Sequence, residues 1–231
     1  MSEVSAAVKS SIGSKVIMAL TGLGLILFVI VHMAGNLQMF AGQEAMNNYA
    51  VALRKVPLLL WIARLGIIGF FVFHVFDGLR LKLKNRAARP VAYVSKNTVK
   101  ATLASRTMAI SGAIILAFLV YHLLHFTLGV THPEHFALKD AQGRQDVFNM
   151  VVYGFQNALV SGGYILAMVL LFAHLSHGAA SWLQSLGWNH PKINGIVKIA
   201  APAITWLVCL GFISVPLGVL LGIIEPFKPT P

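Results

Sequence analysis

Four histidines lie inside long apolar runs: His32, His74, His122 and His174. An imidazole is costly to bury in hydrocarbon without a partner, so a histidine in such a run marks a functional site by default. A neutral imidazole nitrogen is a good metal ligand. Two imidazoles from different helices can fill both axial positions of a haem iron. Four histidines on four consecutive apolar segments make two such pairs. His125 and His177 each follow one of them by three residues, on a nearby helical face. They stand as alternative ligands, as bonds to a haem propionate, or as the lining of a quinone pocket. His132, His135 and His190 fall between apolar runs and read as solvated surface residues.

The elements that must carry these histidines follow from composition. The 231 residues are 57% hydrophobic and only 11% charged, whereas a soluble domain carries about 25% charged residues. Five apolar runs, at 15–40, 58–81, 106–129, 155–183 and 197–224, each exceed the roughly 20 residues that cross a bilayer core. Isolated apolar segments in lipid can satisfy their backbone only as helices. The expected fold is all-α, a single membrane-spanning five-helix bundle over residues 1–231. The connections 42–57 and 131–149 are expected on one side, and 82–105 and 185–192 on the other. The N-terminal "MSEVSAAVKSSIGS" is expected to carry no cleavable signal.

The net charge of +11 is a topology signal rather than a sign of nucleic acid. Lys9, Lys15, Arg80, Lys82, Lys84, Arg86, Arg89, Lys96, Lys100, Arg106, Lys192 and Lys198 all fall on one face of five alternating spans. Arg54, Lys55, Arg64, Lys139, Arg144 and Lys228 fall on the other. The positive-inside rule then puts the N-terminus in the cytoplasm and the C-terminus outside. The lone Cys209 excludes an internal disulfide and a four-cysteine iron–sulfur cluster, and no CxxCH is present for covalent haem attachment.

An internal repeat ties the histidines together. "MALTGLGLILFVIVH" (Met18–His32) and "MAISGAIILAFLVYH" (Met108–His122) match at a constant offset of 90. The shared positions include Thr21/Ser111, Gly22/Gly112, Phe28/Phe118 and His32/His122. "HVFDG" (His74–Gly78) and "HLSHG" (His174–Gly178) match at an offset of 100. His32 lies 17 residues beyond Lys15 and His122 lies 16 beyond Arg106, about 25 Å along each helix at about 1.5 Å per residue. His74 lies six residues before Arg80, about 9 Å from the cytoplasmic edge. Depth therefore pairs His32 with His122 near the outside and His74 with His174 near the cytoplasm. Gly78 and Gly178, one turn beyond their histidines, are expected to leave room for a flat macrocycle or for close helix packing. Asp77 is expected either to pair with Arg80 or to belong to a proton path.

Four stretches together carry a resemblance over nearly the whole chain: "SSIGSKVIMALTGLGL", "HMAGNLQMFAGQEAMNNYA", "HVFDGLRL" and "HLSHGAASWLQSLG". They resemble the cytochrome b subunit of succinate dehydrogenase and fumarate reductase, in its five-helix, two-haem cytochrome b558 form. The resemblance implies a multi-pass subunit of the cytoplasmic membrane. It would anchor a flavoprotein with covalent FAD and an iron–sulfur protein on the cytoplasmic face, and pass electrons between the iron–sulfur clusters and membrane menaquinone. It implies two b haems ligated by His32, His74, His122 and His174, with His177 an alternative at the last position. It also implies an acidic residue near the quinone, for which Glu44 is the nearest candidate, set against Glu44 as a surface-loop acid. Asn47, Asn48 and Tyr49 are expected to be quinone-site neighbours or capping residues. The dicarboxylate chemistry would reside on another chain. Two rivals remain: a cytochrome b anchor of a hydrogenase or formate dehydrogenase type, and a small transporter or channel whose histidines relay protons.

Overall fold

The computed structural model describes residues 10–88, 91, 102–188 and 190–228. Lys9, Arg89, Lys96 and Lys100 of the basic face, and the last residues of the Pro-rich tail, lie outside them. Among the described residues eight α-helices follow in order: α1 (Ser11–Asn36), α2 (Gln43–Arg54), α3 (Pro57–Ala87), α4 (Leu103–His122), α5 (Pro133–Phe136), α6 (Val147–Gln156), α7 (Ala158–Ser185) and α8 (Pro191–Leu220). No strand occurs among the described residues; Lys139 and Gln145 form an isolated bridge. Among the described residues five helical segments are long and apolar enough to cross a membrane: Ser11–Ala41, Pro57–Ala87, Leu103–Thr127, Ala158–Ser185 and Asn194–Leu220. The all-α expectation and its five spans hold.

The boundaries differ for physical reasons. Helix α3 runs six residues past its expected end, through Lys82, Lys84 and Arg86. These are good helix formers, and their charge suits a helix C-terminus. The fourth span starts at Ala158 rather than at residue 155. Asn157 has an extended backbone, and its Oδ1 accepts from the Leu159 and Val160 N–H groups at 3.0 and 3.3 Å. That side-chain cap ends one helix and opens the next inside a continuous apolar run. The connection 42–57, expected as a loop, is mostly helix α2. Gly42 opens it at φ 91, ψ 179, a region open essentially to glycine alone.

The chain forms two compact units. The first is drawn from Met1–Phe28, Arg64–Gly112 and Ala173–Thr205, the second from Val29–Ala63, Ala113–Phe172 and Trp206–Pro231. In the first unit the buried residues are mostly small, among them Ser14, Ala19, Thr21, Ser111, Ala179 and Ala201. Gly24 lets α1 meet α3 there, since a methyl at that position would stand 2.5 Å from the Phe70 ring. Small residues at helix contacts are how apolar helices approach closely.

The second unit holds the larger core, formed by Met39, Met46, Val151, Val152, Phe155, Val215 and Val219 with their neighbours. Most of α6 is buried in it. A polar network covers this core. Asn47 is fully buried; its Nδ2 donates to Asp140 and Asp146 at 3.1 Å each, and its Oδ1 accepts from Phe148 N–H at 3.1 Å. Asp146 caps α6, accepting from Asn149 N–H at 3.1 Å, from Asn149 Nδ2 at 2.8 Å and from Gln43 at 2.8 Å. Asn149 in turn exchanges bonds of 2.8 and 3.0 Å with the Phe227 backbone. Arg144 joins Asp140 at 2.6 Å and Glu44 at 2.8 Å.

Bonds from Arg144 and Asn48 hold the Glu44 carboxyl below its ordinary pKa. Burial works to raise Asp140, but the Arg144 and Asn47 bonds outweigh it and leave it lowered as well. A carboxyl with a depressed folded pKa contributes stability above the ordinary carboxylate range and loses it as pH falls through the folded value. Two outcomes are expected in thermal melts of the solubilised chain. Asn47→Ala should cost about 1–3 kcal/mol, because buried partners are left unpaired. The melting temperature should also fall with acid below the ordinary Asp/Glu range, and less steeply in Glu44→Gln.

Candidate functional site

The first unit brings His74 of α3 opposite His174 of α7, with ring centres 6.3 Å apart and planes at 64°. Each imidazole is seated by the helix that carries the internal repeat. On α1 the Thr21 hydroxyl donates to the Ile17 carbonyl at 2.7 Å and lies 3.4 Å from His74 Nδ1. On α4 the Ser111 hydroxyl donates to the Thr107 and Met108 carbonyls at 3.1 Å and lies 3.2 Å from His174 Nδ1. A hydroxyl whose proton is committed to its own helix can only accept from the ring. Nδ1 is then the donor in both histidines, and Nε2 keeps the lone pair that a metal requires.

The residue after each hydroxyl completes the seat. A Cβ at Gly22 would lie 3.4 Å from His74 Cε1, and one at Gly112 would lie 3.3 Å from His174 Cε1. Threonine–glycine and serine–glycine thus form equivalent sockets, one for each ring. Gly78 and Gly178 have no such role. A methyl at Gly78 would meet Met18 at 3.6 Å, and one at Gly178 would meet nothing within 4 Å. The ring that faces His74 is His174, not His177.

In the second unit His32 of α1 stands opposite His122 of α4, with ring centres 5.9 Å apart and planes at 81°. Phe212 flanks His32 at 5.7 Å. Asn36 Nδ2 donates to the His32 carbonyl at 2.8 Å and lies 3.4 Å from Nε2. Behind His122 is the buried Tyr164, whose hydroxyl lies 3.4 Å from His122 Nδ1 and 3.1 Å from His125 Nδ1. His125 is 2% exposed and stacks on Phe126 with centres 3.8 Å apart. It sits in a π-helical turn, Leu123–Thr127, that continues α4. Beside these rings lies an apolar groove of about 400 Å³, lined by Phe118, Tyr121, Val160, Tyr164 and Leu170 among others.

The ring-centre separations of both pairs are close to the spacing that two imidazoles sharing one metal ion would have. Metal–imidazole bonds of about 2 Å place the centres of two rings on opposite sides of an ion on the order of 6 Å apart. The four histidines selected by the repeat are those the fold pairs. Thr21, Ser111 and Tyr164 were not assigned a role from sequence. The first two carried a signal, since they share the offset of the histidines; Tyr164 carried none.

Other candidates fall elsewhere. Glu44 lies on α2 rather than in a loop, with an exposed side chain ion-paired to Arg144. Asn48 bonds to Glu44 at 2.8 Å, the buried Asn47 holds the polar network, and the Tyr49 ring occupies the space beside Gly35. Asp77 is 2% exposed and pairs with Arg80 at 3.7 Å. His190 is exposed. His132 and His135 are not solvated surface residues; they are half-buried, with rings stacked 5.2 Å apart at 15°. The short helix α5 turns them inward, His135 against Tyr153 and His132 against His125.

No protein-family model, curated protein or solved structure matches this chain.

The packing around His125 generates one prediction. A Cβ at Gly154 would lie 2.9 Å from His125 Nε2 and 3.1 Å from the Phe126 ring, whereas one at Gly163 would touch nothing within 4 Å. Gly154→Ala should lower stability by about 1–3 kcal/mol through overpacking. Gly163→Ala should be neutral or slightly stabilising in the same melts.

Proposed function

We propose that this chain is a dihaem cytochrome b, the membrane anchor of a succinate:menaquinone oxidoreductase or its fumarate-reducing counterpart. The observation that carries the reading is the two histidine pairs at 5.9 and 6.3 Å, the second with a hydroxyl behind each ring. His32 and His122 would hold the outer haem, His74 and His174 the inner one. Bound there, the haems would supply one-electron transfer between the iron–sulfur clusters of a partner subunit and membrane quinone.

The chain's own residues supply orientation and surroundings. Thr21 and Ser111 would set the inner histidines with Nε2 as ligand, and Tyr164 would hold the His122 ring in place together with His125. The apolar groove lined by Phe118, Tyr121 and Tyr164 would accommodate a quinone headgroup. Glu44, committed to Arg144 and exposed, is a poor quinone ligand by comparison. The basic face, including Arg80, Lys82, Lys84, Arg86 and Arg106, suits a cytoplasmic N-terminus and acidic partner subunits.

Several measurements test this. A reduced-minus-oxidised spectrum should show a b-type band; without one, a proton-relaying channel is the better reading. Pull-down through this chain should bring a covalent flavoprotein and succinate-linked menaquinone reduction, which a hydrogenase or formate dehydrogenase anchor would not. His122→Ala should retain one haem and His125→Ala both; two haems in His122→Ala would refute the ligand assignment. Thr21→Val should weaken inner-haem retention roughly 10–100-fold and move its midpoint potential upward, since the ligand loses the acceptor that raises its basicity.

A further inference from the structure

The segment "THPEH" (Thr131–His135) is not used by the function proposed above, and the geometry of its side chains points to a second metal centre. We propose that His132, Glu134 and His135 bind a divalent transition cation of the zinc class. Among the described residues this is the one group of three such side chains whose donor atoms lie mutually within 4.8 Å.

A single oxygen, Glu134 Oε1, approaches one nitrogen of each ring. It is 3.3 Å from His132 Nδ1 and 3.7 Å from His135 Nε2. Bonds of about 2.0–2.1 Å to a tetrahedral ion place neighbouring ligand atoms about 3.4 Å apart. Two edges of the ligand set are therefore formed to within a few tenths of an ångström. The backbone is fixed for the purpose: Pro133 opens α5, with His132 as its N-cap residue. The imidazoles are held by packing, since their rings stack on each other and His135 lies 5.7 Å from Tyr153.

The donor set selects the cation. Two imidazoles and one carboxylate suit Zn²⁺, Cu²⁺ or Ni²⁺, whereas Ca²⁺ and Mg²⁺ require oxygen ligands. Three protein ligands leave the fourth position to water or to a further group. The place also has a consequence. The His132 ring lies 5.1 Å from the His125 ring, which reaches His122 through the Tyr164 hydroxyl. A dication bound here stands one ring away from that chain. The binding itself does not depend on the haem reading.

The test is Zn²⁺ binding to the full chain in lipid nanodiscs, by competition with a chromophoric chelator. One equivalent should be retained, and His132→Ala, His135→Ala and Glu134→Gln should each weaken it at least about tenfold. His190→Ala should leave it unchanged, and Ca²⁺ should not compete. Thermal melts of each variant without metal keep loss of folding separate from loss of a ligand. Equal Zn²⁺ affinity in all three variants overturns the proposal, as does equal loss in His190→Ala or displacement by Ca²⁺ at equal concentration.

Discussion

Burying an imbalance of donors and acceptors in hydrocarbon is the constraint on which this structure turns. An imidazole offers one donor and one acceptor, and the side chains of an apolar helix offer neither. The chain meets the donor with a hydroxyl from a neighbouring helix, Thr21 for His74 and Ser111 for His174, and sets the Tyr164 hydroxyl between His122 and His125, where it can accept from one ring and donate to the other. Satisfying one nitrogen leaves the other directional and basic. The same bond that makes the ring tolerable in the interior prepares it to act as a ligand.

The two halves of the repeat use this device unequally. In the first unit the sockets are alike, hydroxyl then glycine, on α1 and on α4. In the second unit the equivalence fails. His32 has Asn36 and Phe212 beside it, while His122 has Tyr164 and an additional buried histidine. The apolar groove lies on the Tyr164 side. Symmetry is kept where the rings need only be held and is lost where space for a small molecule opens.

Much of this was legible in the sequence, and the reasons for the rest are specific. Charge depletion and run length revealed the five spans. The offset of 90 picked out His122 over His125 and carried Thr21, Gly22, Ser111 and Gly112 with it. What those four residues do was not legible, because a helix face is shared by packing partners that lie far away in sequence. Gly78 and Gly178 were the more visible glycines, on the same helices as their histidines, yet the sockets are built across helices. The break at Asn157 lay hidden in an unbroken apolar run, where one cap outweighs hydropathy. His132 and His135 read as solvated because polar connections usually are; here a one-turn helix folds them against the unit. Glu44 reads as a site acid only until Arg144, 100 residues away, is seen to claim it.

The π turn after His122 also sets how far the internal repeat extends. The gapless match between the two halves ends at His122, and the wide turn begins at the next residue, Leu123. A π turn holds one more residue than the α turn it replaces. Past His122 the chain thus carries one residue more per turn than α1 does past His32, and the two halves remain comparable only if a gap is opened there. With that gap Ala34 falls opposite His125 and Gly35 opposite Phe126. The wide turn sets His125 and Phe126 against Tyr164 while His122 keeps the register of His32.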